Sequence, residues 1–144
     1  RWAAPEGAVQ RGAWRRREMT IMDTFSEYQR AAARTGGSDL KPENRDKGLN
    51  CAAMGLAGEA GEVCDLIKKV QHHRAPLDEA KLKKELGDVL WYLAHACNVM
   101  GWDLGAIAAL NVAKLKARYP NGFTTADSIA KRDEMRTNDG SQEA

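Results

Sequence analysis

A chain of 144 residues, 43% hydrophobic and 29% charged with a formal charge of +2, suits one domain with one moderate core. The charge is uneven: residues 1–18 carry five Arg and two Glu, residues 127–144 carry three basic and five acidic groups, and the stretch between them is nearly neutral. A near-neutral body with 6% aromatic residues argues against a broad nucleic-acid footprint or a base-stacking platform, and no apolar run approaches the ~20 residues needed to cross a bilayer.

Residues 1–22 read as a leader or extension outside the fold. The first 18 lack periodicity and begin without Met, so Met19 or Met22 is a plausible native start. They contain Arg but no following hydrophobic region, unlike a secretory signal. A helical domain is expected over 23–126. Its first helix begins after Asp23 or Thr24, turns Phe25 and Tyr28 toward a core and ends near Thr35-Gly36-Gly37. A polar loop containing Pro42 follows. The second helix runs over 48–72, with Leu49, Ala52, Leu56, Val63, Ile67 and Val70 among its apolar positions at helical spacing. His73-Arg74-Ala75-Pro76 breaks it. The third runs from Asp78, a candidate N-cap, to Met100, where Gly101 stops it. Asp103 caps the fourth, which ends at Tyr119 because Pro120 follows. Residues 127–144 form a polar C-terminal tail. No segment alternates long enough to be a strand, and the expected fold is all-α, an antiparallel bundle of four main helices. Cys51, Cys64 and Cys97 are odd in number, lack zinc spacing and sit in apolar runs, which predicts buried free thiols in a reducing cytoplasm.

The chemistry-bearing feature is a pair of acidic couples. Glu59-Ala60-Gly61-Glu62 and Glu85-Leu86-Gly87-Asp88 each place two carboxylates three residues apart, on one helix face. The midpoint between the couples falls between His73 and Arg74, at the expected turn. An antiparallel hairpin would therefore bring all four carboxylates to nearly one level. Glu59 shares its stripe with Leu56, Val63 and Leu66, and Glu85 shares its stripe with Leu82, Val89 and Tyr92. Acidic groups so placed are partly desolvated and repel one another unless a cation or protons neutralise them. Gly55, Gly58, Gly61 and Gly87 lie beside them, each costing a helix about 1 kcal/mol relative to Ala, which suggests close backbone approach or room for a ligand. All-oxygen ligands favour Mg²⁺ or Mn²⁺ over Zn²⁺. A di-iron bundle would want Glu-x-x-His couples, and neither couple has a His at its fourth position. A single such couple is usually no more than a solvated helix face. Spacing alone thus gives a helical hard-cation site and no reaction.

The residues that form the site also carry a resemblance. GLAGEAGEVCDLIKK (55–69), KKELGDVLWYLA (83–94) and NVAKLKARYPNGF (111–123), with the later KRDE, resemble the three blocks of MazG-like nucleoside triphosphate pyrophosphohydrolases, an all-α superfamily, over roughly residues 23–134. The resemblance implies hydrolysis of an NTP or dNTP to the monophosphate and pyrophosphate. It implies Mg²⁺, or Mn²⁺ in its place, on Glu59, Glu62, Glu85 and Asp88, with attack of water at the α-phosphorus and these carboxylates as the catalytic set. It also implies a dimer or tetramer, so that homo-oligomerisation completes the bundle and the active site.

Phosphate needs cations too. Asn111, Lys114 and Arg118 share one face of the fourth helix and match the family block, as a phosphate clamp would; a solvated basic face at a helix C-terminus is the plainer reading. Lys69 shares the side of Glu62, and a snorkelling surface lysine fits equally well. The resemblance makes Tyr92 a substrate contact. Trp91 and Trp102 are expected in the core, His72 and His73 at a helix end they cap electrostatically, and His95 inside the bundle. The competing expectations are a helical interaction module with partner-facing acids, and a nucleotide- or metal-binding regulatory domain without turnover. Nothing in the loop over 36–47 reads as a base-selection motif.

Overall fold

A computed structural model describes residues 24–130; the expected leader over 1–22 and everything from residue 131 onward lie outside the described residues. Each long helix starts where a side-chain or backbone acceptor is available for its free N–H groups. Thr24 caps α1 (Phe25–Ala33) through a reciprocal box: its hydroxyl accepts from the Glu27 N–H and the Glu27 carboxylate accepts from the Thr24 N–H, both at 3.1 Å. Two short 3-10 turns, Gly37–Leu40 and Pro42–Asn44, lead into α2 (Arg45–His73). That helix begins three residues before the expected start, and within it Gly48 passes close to the preceding loop. A Cβ there would stand 2.6 Å from the Asp39 carbonyl oxygen and 2.9 Å from Val99.

Arg74, in the left-handed region at φ 56°, ends α2, and the Ala75 N–H turns back to the Lys69 carbonyl at 3.2 Å. Asp78 caps α3 (Glu79–Met100), accepting from the Lys81 N–H at 2.9 Å, and Gly101 at φ 68° stops it. Asp103 caps α4 (Leu104–Arg118), accepting from the Ala106 N–H at 2.7 Å. A short helix that the sequence pattern did not suggest, α5 (Thr125–Ala130), runs across the expected boundary at 126/127. It is held by Thr124, whose hydroxyl accepts from the Asp127 N–H at 3.0 Å and donates to the buried Asp127 carboxylate at 2.7 Å. No strand occurs among the described residues.

α2 and α3 form the expected antiparallel hairpin, and α1 lies against α3. Ala32, Ala94, Cys97 and Leu104 make a core of mostly small side chains, with Tyr28 and Trp91 packed against it. A polar lock around Gln29 sets the angle of α1. Its amide donates to Asn98 Oδ1 at 3.0 Å and to the Trp102 carbonyl at 2.7 Å, while its Oε1 accepts from the Leu104 N–H at 2.8 Å. α4 leaves α3 at 110°, so the described part of a single chain does not close an antiparallel bundle of four helices. The three-residue link between Met100 and Leu104 directs α4 across α1 instead of back along α3.

Several burial expectations change for the same reason: the chain has few layers to bury them. Phe25 and Trp102 are 49% and 54% exposed rather than in the core, although the Trp102 carbonyl is held by Gln29. All three thiols are free, but only Cys97 is buried; Cys51 and Cys64 are exposed on α2. No single helix among the described residues is long and apolar enough to cross a membrane.

Candidate active site

The α2–α3 hairpin brings three of the four carboxylates together. Glu59, Glu85 and Asp88 each offer an oxygen, and these oxygens all lie within 4.8 Å of one another. Glu85 is the deepest at 5% exposure, while Glu59 and Asp88 are half-buried. Glu62, one turn further along α2, is exposed and outside this group. Three convergent carboxylates, one of them buried, form an oxygen-only donor set that fits a hard divalent cation, since without one their charges face each other in a partly dry setting.

The register is visible one turn outward. Gly55 stands a turn before Glu59 and Tyr92 a turn after Asp88, and the Tyr92 ring lies directly against the Gly55 backbone, where a Cβ would run into it. Gly55 is therefore a close-approach glycine, as its place beside the acids suggested. Gly58, Gly61 and Gly87 face open space in the single chain. Gly55→Ala is expected to push Tyr92 away and destabilise the hairpin by about 1–3 kcal/mol, read by denaturant unfolding, while Gly58→Ala leaves the stability of the isolated chain unchanged or slightly raised.

One neighbour of the acids was not singled out by sequence reasoning. Lys84 reaches Asp88 at 3.5 Å and Glu85 at 3.9 Å, and its side chain is 71% exposed, so the pairing is weak and a cation can displace it. Its i,i+4 spacing to Asp88 was the available signal. Tyr28, on α1, packs against the core as expected, and burial first, then the Asp88 charge, raise its phenol above the usual value. No local pattern announces that shift, because it arises where α1 docks on α3.

Lys69 is held on its own helix. Asp65 pairs with Lys68 at 2.5 Å and Lys69 at 2.6 Å, and hydrogen bonds from these two lysines bring the Asp65 carboxyl down to about 2. The same pairing raises the Lys69 ammonium. Asn111 and Lys114 are exposed on α4 and Arg118 is half-buried at its end, away from the three converged carboxylates in sequence and element. His72 and His73 are exposed in the last turn of α2, as expected, and His95 is buried at 2% exposure.

The sequence profile of the MazG nucleotide pyrophosphohydrolase domain matches residues 49–123, a span containing both acidic couples and the α4 face. The gene 37 protein of Mycobacterium phage L5 is 35% identical over 80 residues, 53% of this chain and 70% of that protein. No solved structure matches.

Proposed function

This chain belongs to the MazG nucleotide pyrophosphohydrolase family, and we propose that it hydrolyses a ribo- or deoxyribonucleoside triphosphate to the monophosphate and pyrophosphate with Mg²⁺, or Mn²⁺ in its place. The observation that carries this reading is the convergence of Glu59, Glu85 and Asp88 on a hairpin inside the matched span. When bound, the ion supplies positive charge against the phosphate oxygens and helps activate the attacking water. Glu59, Glu85 and Asp88 would hold it, with Glu62 joining from the exposed rim. One of these four carboxylates would double as the base that accepts the proton of the water. The water oxygen bonds to the α-phosphorus as the α–β bridging bond breaks, and pyrophosphate leaves. Tyr92, packed on Gly55 of α2 one turn from Asp88, would contact the substrate, and Lys69 would reach phosphate by exchanging Asp65 for it. A role in clearing surplus or noncanonical nucleotides follows from that chemistry, and free thiols suit a reducing cytoplasm.

Asn111, Lys114 and Arg118 complete the reading as a phosphate clamp. They lie on α4, so a second copy is the means of bringing them to the carboxylates. A homodimer or homotetramer would also cover Met54, Leu86 and Leu110, which are 69%, 51% and 71% exposed, and fill the open space at Gly58, Gly61 and Gly87. No stable complex with nucleic acid or membrane is part of this reading.

Incubation with a panel of NTPs and dNTPs plus Mg²⁺, with pyrophosphate as the readout, tests the proposal. Pyrophosphate with an equimolar monophosphate supports it. Stepwise orthophosphate makes the protein a phosphatase, and folded protein that binds Mg²⁺ and nucleotide without turnover makes it a silent binding module. Lys114→Ala is expected to raise KM about tenfold with a smaller change in kcat, as loss of a phosphate contact made in the ground state would. An unchanged KM would return Lys114 to the solvated basic face.

A further inference from the structure

We propose that Asp39, Cys51 and His95 form a second cation site, chemically distinct from the carboxylates, that takes a borderline-soft ion such as Zn²⁺ and clips the loop before α2 onto the α2–α3 hairpin. Asp39 lies in the Gly37–Leu40 turn, Cys51 on α2 and His95 on α3, and one ligand atom from each lies within 4.8 Å of the others.

Independent support comes from His95. It is 2% exposed, and neither of its ring nitrogens has a hydrogen-bond partner. A buried imidazole with both nitrogens unsatisfied is unusual. Asp39 Oδ2 stands 3.8 Å from His95 Nε2, too far for a hydrogen bond. Donors bound at ~2.0–2.3 Å around a tetrahedral ion stand roughly 3.3–3.8 Å apart, so two of the three are already near ligand spacing.

The ring is also oriented. Trp91 stacks on His95 with centroids 4.7 Å apart and an 11° interplanar angle, and the Trp91 indole N–H donates to Thr35 Oγ1 at 2.8 Å. The stack fixes the plane of the imidazole, so that one nitrogen can be held toward Asp39 and Cys51. Thiol, imidazole and carboxylate together select Zn²⁺ or Co²⁺ over Mg²⁺. Cys51 is exposed, which leaves a solvent-facing fourth position, and its thiol passes its proton to solvent as the ion binds. Cys51 precedes Glu59 by eight residues and His95 follows Asp88 by seven, so this site is about 10–12 Å along the helices from the carboxylates, too far to share their ion.

The test uses the full chain, metal-stripped, reduced with a phosphine and held in excess Mg²⁺ to occupy the carboxylates, then titrated with Co²⁺. One equivalent is expected to produce thiolate-to-cobalt charge-transfer absorption in the near ultraviolet, which Zn²⁺ then removes. Cys51→Ser, at an exposed position that leaves the fold intact, abolishes the absorption; His95→Gln abolishes it as well, with circular dichroism checking its helicity. Asp39→Asn weakens binding about tenfold or more. Cys64→Ser and Glu85→Gln leave it unchanged. Folded wild-type protein without the absorption, absorption that survives Cys51→Ser, or absorption lost with Cys64→Ser overturns the proposal.

Discussion

Glu85→Gln is expected to lower kcat/KM for pyrophosphate release by about 10²–10³-fold, because it withdraws a charged ligand worth several kcal/mol of transition-state stabilisation. Glu85 is the buried member of the converging trio, at 5% exposure, so water cannot take its place without rearranging the hairpin. Asp88→Asn should act alike, and raised Mg²⁺ should recover part of either loss. Glu62→Gln, at an exposed position outside the trio, is expected to cost only about tenfold. Stability separates a catalytic from a structural effect. Without metal, Glu85→Gln removes one of three mutually repelling carboxylates and should unfold at the same temperature as the parent or higher. Retention of activity within threefold, with the parent's Mg²⁺ dependence, would sink the assignment.

The difference expected between Glu85 and Glu62 shows how far the sequence carries. Spacing placed both acidic couples at one level, and the Gly55–Tyr92 contact confirms that register independently of the acids. Helix phase then separates them: Glu59 turns toward α3 while Glu62, about 60° away around the helix, stays outside. Periodicity alone could not resolve that, because both positions lie within one broad face. Helix ends were the most legible feature, since Thr24, Asp78, Asp103 and Gly101 act through their own chemistry. The path of α4 was not. It leaves α3 at 110° through a three-residue link, and the start of α4 is held by Gln29, about 70 positions away in the chain. The placement of Asp39 beside His95 likewise joins residues far apart in the chain.

Leu110→Asp is expected to dissociate the proposed assembly while leaving the fold of each chain intact. Leu110 is 71% exposed in the single chain, so the substitution removes little intrachain packing and should change monomer stability by no more than about 0.5 kcal/mol. Buried in an interface, the same leucine contributes about 1.5–3 kcal/mol, and in a two-fold symmetric dimer it appears twice. Loss of both copies weakens dimerisation by about 10²–10⁴-fold. Sedimentation should show a smaller species, and thermal unfolding that depends on protein concentration in the parent should lose that dependence. Activity is expected to fall with the assembly, because Asn111, Lys114 and Arg118 share α4 with Leu110 and are proposed to reach the carboxylates from the other copy. Met54→Asp, 69% exposed on α2, tests the opposite side of the same idea. A parent protein that sediments as a monomer and turns over at full rate would remove the shared site and leave the α4 cations as a solvated face. Dissociation by Leu110→Asp with undiminished kcat/KM would keep the assembly but place the whole phosphate clamp within one chain.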